Sequence, residues 1–428
     1  MNLLFLTNEL SYRGTPRFLF YCARLAQRNG HHVKIWGLEH GGALESACAR
    51  LSIPVQIGLN AIDGAIEFQP RLVHMHRAGG VSDRDNALLR LLKKKTGCRI
   101  LETNVFGTAD LTYPDPIDLH AHISRWDLWR WRRWLWPLRR PGIYLPYCLD
   151  TSEFRPLPRE AFRNAHGLVN DDFVVGRIGK TDWTRLRAAL IPALRACPRI
   201  RLASVDDYSG QNMRLADWPS DIRDRIKRIP ALSGPNELSS FYSSCDLTVS
   251  ASPIGESFGY VVAESMACGT PVIAFSMPRN DNAQIEIAAD KYGCYPVRDA
   301  TAAANIIAEC ARHPPTSEQK ALCRESIVQR YDTSTFAITL EKAYTLLATN
   351  PSHGGVLEHA FVDAGFTTDI SDDEINTNLA SVHGGSPSIW EQAKMRLAYS
   401  LPNAVRLQSI CRRVFPSPVP RALNKERA

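Results

Sequence analysis

SASPIGESFGYVVAESMACGTPVIAF, residues Ser250 to Phe275, is the stretch on which the fold turns. Just ahead of it and into it, Asp246 to Ser252 (DLTVSAS) predicts a short strand running into a loop. Pro253, Ile254 and Gly255 break that strand, and Glu256 and Ser257 sit where a helix should start. Tyr260 to Cys268 is a good helical run, Gly269 is placed to end it in the left-handed conformation, and Pro271 cannot continue it. Val272 to Phe275 predicts a second, buried strand. Two strands joined through a helix by short turns make a βαβ unit, which implies a parallel sheet.

Strand, loop and helix start together form an anion site. The free N–H groups of the first turn and the positive end of the helix face whatever fills the loop. Glu256 stands at the mouth and Glu264 eight residues on. Eight helical residues rise about 12 Å and turn the side chain by roughly 80°. The two acids are therefore spaced to contact opposite ends of one elongated ligand. A nucleotide sugar suits that spacing, with phosphates at the amides and hydroxyl-bearing rings at the carboxylates. The plainer alternative is a surface helix with two solvated acids.

The stretch resembles the Glu-x7-Glu segment of the retaining glycosyltransferases of family 4, which have the GT-B fold. What carries the resemblance is the pair of acids together with SFG between them and MACGTPVIA after them. The resemblance implies that Glu256 contacts the donor sugar and Glu264 the ribose. It also implies an α/β chain with two Rossmann-like, doubly wound domains facing a central cleft.

Composition sets wider bounds. The 428 residues predict two domains with an appendage. A hydrophobic fraction of 44% and a charged fraction of 22% are ordinary for a globular chain. A formal charge of +7 is too weak by itself to imply nucleic acid, and no nucleic-acid partner is expected. Eleven scattered cysteines without a Cys-x-x-Cys pair fit a reducing compartment rather than disulfides or a zinc site. The start, MNLLFLTNEL, lacks a basic n-region and reads as a first strand. No run reaches the ~18 apolar residues of a membrane span. The expected location is cytoplasmic.

In the first half, Asn2 to Thr7 predicts a strand, Asn8 to Arg17 a polar loop holding Gly14, Phe18 to Asn29 an amphipathic helix, and His32 to Gly37 the next strand. A glycine in such a loop lets backbone approach a phosphate, although a plain turn reads equally from one glycine. Family members usually carry two adjacent glycines here; this chain has one, followed by GHHV at Gly30 to Val33. Arg71 to His76 predicts another strand, and the resemblance places His76 next to the anomeric carbon, where a lone His would otherwise read as structural. Asp83-Arg84-Asp85 spells a metal-binding pattern of a different glycosyltransferase fold. Ahead of a helix, charge complementing the dipole is the simpler account, and no metal or cofactor is expected.

Arg125 to Arg140 (RWDLWRWRRWLWPLRR) holds five of nine tryptophans and six arginines. Three readings compete: an anionic membrane interface, stacking against a sugar or pyrophosphate acceptor, or an ordinary helix whose arginines snorkel over the core. Asp150 to Pro158 is polar and proline-bearing, as a domain boundary should be. Asp150, Phe154 and Pro156 match the family's junction signature. The expected domains are 1–150, 151–348 and an extension, 349–428.

Phe173 to Ile178 opens the second domain as a strand. Basic residues at its end are placed to neutralise a diphosphate. The resemblance assigns Arg177 to that role, with either Lys180 or Arg185 as the second cation, and helix-start amides near Ser257, Phe258 and Gly259 as further donors. Asn282 to Glu286 resembles a segment that closes the nucleotide pocket. The resemblance runs from Met1 to Ala348. Beyond it, Pro351 to Ser388 has six acids and no Lys or Arg and reads as flexible. From Ile389 onward eight Lys or Arg meet two Glu, a tail that suits either an anionic membrane or docking on its own enzyme.

The resemblance thus implies a metal-independent, retaining transferase that moves a sugar from a nucleotide-diphosphate sugar to a glycan or lipid-linked acceptor, in surface polysaccharide assembly. A degenerate binding or scaffold protein, and an epimerase or phosphorylase of the same fold, are the alternatives.

Overall fold

Near-continuous apolar runs such as FVVG and VIAF are what parallel strands buried on both faces require. The computed structural model describes residues 1–77, 82–107, 115–133, 140–206, 212–288, 293–351, 355–385 and 388. Within them the first half holds β1 (Asn2–Glu9), β2 (His32–His40), β3 (Val55–Ile57), β4 (Leu72–Arg77), β5 (Arg99–Asn104), β6 (Leu119–His122) and β7 (Gly142–Tyr144). The second half holds β8 (Phe173–Arg177), β9 (Ile200–Val205), β10 (Ile226–Ile229), β11 (Leu247–Ser250), β12 (Val272–Phe275) and β13 (Cys294–Val297).

These form two separate sheets, in the orders β3-β2-β1-β4-β5-β6-β7 and β10-β9-β8-β11-β12-β13. Neighbouring strands run parallel throughout. Each order reverses once, between β1 and β4 and between β8 and β11. In doubly wound sheets ligands bind outside the carboxyl ends at such a reversal. Here those ends carry the Gly14 loop on one sheet, and the Lys180 loop and the Glu256 loop on the other.

A helix at Thr333–Thr349 runs back onto the first sheet. The Tyr344 hydroxyl meets His74 Nδ1 at 2.8 Å, Arg71 donates to the Ala348 carbonyl at 2.6 Å, and Arg99 to the Asn350 carbonyl at 3.0 Å. A lone parallel bridge joins Leu149 to Asp332 at the base of this helix. No described helix is long and apolar enough to cross a membrane.

Two expectations are corrected here. The described part of Pro351 to Ser388 is not loose chain: Gly355–Asp363 and Asp372–His383 are helices. Its acids find arginines far upstream. Glu358 accepts from Arg132 at 2.6 Å, Asp372 from Arg133 at 2.6 Å, and Glu374 from Arg125 at 2.5 Å. The Trp/Arg segment is a helix over Arg125–Arg132, with Trp126, Trp129 and Trp131 buried among Ile285, Ile370, Ile375 and Leu379. For the described residues, the packed-helix reading displaces the membrane one. Trp134, Trp136 and the tail after Ile389 lie outside the described residues.

Under β4, β5 and β6 sits a buried ionic network. His120 Nδ1 lies 2.7 Å from Glu102 and its Nε2 lies 3.4 Å from Asp115, while Arg77 stands 3.1 Å from Glu102. Burial alone would lower the His120 pKa, but Asp115 and Glu102 outweigh it and raise it to about 9. A folded pKa above the unfolded value of about 6.5 means the stabilisation is complete below that value and fades as pH rises through 9. The free energy of unfolding, measured by denaturant titration, should fall between these pH values by up to roughly 3 kcal/mol. His120→Gln should flatten that fall; an equally steep fall in the variant removes the assignment.

Candidate active site

After β11 the chain cannot turn directly into a helix. Gly255 adopts φ +73°, and a Cβ there would lie 1.6 Å from the Asp281 carbonyl oxygen. Gly259 adopts φ +99° and caps the helix Tyr260–Ala267. The helix therefore starts at Tyr260, beyond the expected Glu256 and Ser257, because the left-handed Gly259 interrupts the path and the Ser257 hydroxyl donates to Asp281 instead of capping. At the far end Gly269 is left-handed, at φ +75°.

The segment 281–284 buttresses this loop. Asp281 N–H donates to the Ile254 carbonyl at 3.1 Å, and Ala283 N–H to the Glu256 carbonyl at 3.0 Å. Glu256 N–H in turn donates to Gln284 Oε1 at 3.0 Å. The Phe258 ring anchors the turn against Tyr147, Tyr260 and Tyr331.

Glu256 is half-buried at the loop's mouth. Burial first, and then the nearby Asp281, push its pKa to about 7, while Lys180 pulls the other way. Lys180 is exposed beside it. Arg185 lies near, with Nη1 2.9 Å from the Met277 sulfur and Nη2 3.8 Å from Asp182. Opposite stands the helix Gly14–Arg28 of the first sheet. A Cβ on Gly14 would approach the Tyr260 ring to 3.4 Å, so the N-termini of the two helices meet. Neither start has a side-chain cap, which leaves first-turn N–H groups free for an anion.

Three of the expected residues are engaged within the protein. Glu264 is 4% exposed, and both its oxygens are taken. Oε1 accepts from Arg17 of the opposite domain at 2.6 Å, and Oε2 from the Tyr242 hydroxyl at 2.9 Å. Arg177, 1% exposed, turns inward: it donates to the Val205 carbonyl at 2.6 Å, to Thr181 and to the Gly179 carbonyl, and stacks on Trp183. It braces the Lys180 loop from behind. His76 is fully buried against His74 and Phe18, 4.0 and 5.4 Å between ring centroids. Burial and then His74 hold it well below the ordinary histidine range, hence neutral.

Cys22, His74 and His76 bring one potential metal ligand each within 4.8 Å of one another. His74, however, has both ring nitrogens engaged, by Tyr344 and by Thr103 at 2.8 Å each. The group reads as core packing.

Arg17 is the residue that sequence reading passed over. Its signal was there: a cation in the first turn of a helix, where the dipole disfavours positive charge, between Pro16 and Phe18. Its guanidinium lies over the Tyr260 ring, 4.0 Å from the centroid. Arg130 and Asp281, paired across the cleft, were also missed.

Two parallel sheets with facing reversal points define the two-domain architecture of GT-B glycosyltransferases. Anabaena HepE, solved with UDP and glucose, has this fold: TM-score 0.61 at 18% identity, over 81% of this chain and 99% of that one. A glycosyltransferase from Rickettsia africae reaches 0.66 at 15% identity, over 82% and 99%. Within that architecture, residues 171–321 match the family described as glycosyl transferases group 1. A D-inositol 3-phosphate glycosyltransferase of Thermobispora bispora is 41% identical over 153 residues, which are 32% of this chain and 33% of that protein. The chain thus matches about a third of the length of that curated relative.

Gly255→Ala should unseat the loop, since its new methyl group meets backbone that cannot move alone. We expect a lower melting temperature; an unchanged value would show that the loop tolerates a right-handed residue there.

Proposed function

We propose that the chain is a retaining glycosyltransferase that moves a sugar from a nucleoside diphosphate sugar to a hydroxyl of a glycan or lipid-linked acceptor. One observation carries the reading: two uncapped helix N-termini, at Gly14 and Tyr260, meet between the domains beside Glu256 and Lys180. That is a place for a diphosphate with a sugar at its end. The names of the group 1 relatives and of the UDP-bound neighbour support the same chemistry.

In this proposal the first-turn N–H groups and Lys180 stabilise the departing diphosphate. Arg185 is close enough to the same loop to add charge, and Arg177 keeps that loop in shape. Ionised Glu256 accepts hydroxyls of the donor sugar. The acceptor oxygen bonds to the anomeric carbon on the face that the diphosphate leaves, and the acceptor's proton passes to the departing phosphate. Configuration is retained and no protein nucleophile or metal is required. Glu264 serves the ribose once released from Arg17. Surface polysaccharide assembly is the proposed setting, and a peripheral contact with anionic membrane falls to the basic stretch after Ile389. The engaged state of Glu264 favours one other reading, a scaffold protein that no longer binds nucleotide; calorimetry with nucleoside diphosphates separates the two.

Glu256→Gln should cut transfer on the order of 10²–10³-fold with the fold and diphosphate binding kept. Near-normal turnover would remove the proposed role. Because the Glu256 pKa is raised to about 7 and its ionised form is the active one, kcat/KM should climb as pH passes through 7. Lys180→Met takes away the charge that favours ionisation and should move this limb to higher pH. A limb that stays in place would assign the titration to another group.

A further inference from the structure

We propose that Arg17 is a specificity residue that makes the diphosphate a condition of nucleotide binding. The inference rests on the glycosyltransferase reading and extends it to a residue of the first domain. Arg17 is 5% exposed and pairs with Glu264, 4% exposed, at 2.6 Å. Glu264 is the acid expected to take the ribose, so ribose and guanidinium compete for one carboxylate. Arg17 also lies one turn into the Gly14–Arg28 helix and over the ring of Tyr260, the first residue of the other helix. It therefore stands beside the junction where the two helix N-termini meet.

Charge pairing decides which ligand is admitted. A nucleoside alone that took Glu264 would leave Arg17 buried without a counter-charge, which is costly. A nucleoside diphosphate takes Glu264 with its ribose and offers its phosphates to the freed guanidinium, whose planar fork suits them. Charge stays paired before and after the exchange. No bond is made or broken; one ion pair is traded for another. In the pair as it stands, burial works against the Arg17 charge, but Glu264 and then Tyr260, Tyr21 and Tyr12 outweigh it and raise the pKa, while Nε is buried without a partner among the described residues.

The test compares UDP, GDP and ADP with uridine, guanosine and adenosine by calorimetry on the full chain. In wild type the preferred diphosphate should bind at least 100-fold more tightly than its nucleoside. In Arg17→Gln that ratio should shrink tenfold or more, because the nucleoside no longer displaces a cation and the diphosphate no longer gains one. Should Arg17→Gln fail to fold, the double variant Arg17→Gln/Glu264→Gln removes both charges. Its ratio, in which the ribose contact cancels, should shrink likewise. A ratio unchanged in whichever variant folds overturns the proposal. Failure of the wild type to bind any diphosphate overturns the transferase reading instead.

Discussion

The loop after β11 closes against the Asp281 carbonyl, and only a glycine at 255 lets it. With φ at +73° and a Cβ excluded at 1.6 Å, Gly255 folds the chain back so that residues 254–257 and 281–284 become one hydrogen-bonded unit. Glu256 inherits its place from that unit. Its carboxyl is carried by backbone that is held at the N–H and the carbonyl alike, which costs entropy once, in folding, rather than at each binding event. The same closure draws Ser257 away from the helix and leaves the Tyr260 start uncapped. A helix whose cap position is a glycine, with no side-chain acceptor, gives up only about a few tenths of a kcal/mol. The free N–H groups are what a bound anion would use.

The two domains are tied together by charge at the same place. Arg17 meets Glu264, Arg130 meets Asp281, and Glu286 accepts from the N–H groups of Arg125 and Trp126, the first two residues of the Trp-rich helix. Glu286 thus caps from one domain a helix of the other, on top of the Ser124 cap that the helix supplies itself. Its pKa is raised to about 7, because burial outweighs those donors. Buried pairs of this kind add little net stability but penalise every arrangement that separates them. They set which apposition of the domains is lowest in energy.

How much of this could be read from the chain depends on how far apart the partners lie. The βαβ unit, the Gly269 stop and the strand at Val272–Phe275 depend on neighbours within a few residues, and they stand where periodicity and turn chemistry put them. The spacing of Glu256 and Glu264 was legible too. What each acid touches was not, because Arg17 is 247 residues from Glu264. Arg177 and His76 were placed by strand position, which does not say whether a side chain turns toward the cleft or into the core. The Trp/Arg helix defeated the helical wheel because both faces are covered, one by the sheet and one by the extension. The acids of the extension looked like solvated chain because their arginines lie at 125–133.

That extension reaches the site through its back wall. His383 meets Ser276 at 3.1 Å, and Ile370, Ile375 and Leu379 pack with Ile285, next to the Gln284 that holds Glu256. On its other side Glu374 and Asp372 hold Arg125 and Trp129 of the first domain. One short pair of helices outside the matched family region therefore touches both domains and stiffens the segment behind the Glu256 loop. Residues 281–286 are gripped between two layers: the loop in front and the extension behind. A rigid rear layer lets a half-buried carboxyl with no hydrogen-bond partner among the described residues keep its direction.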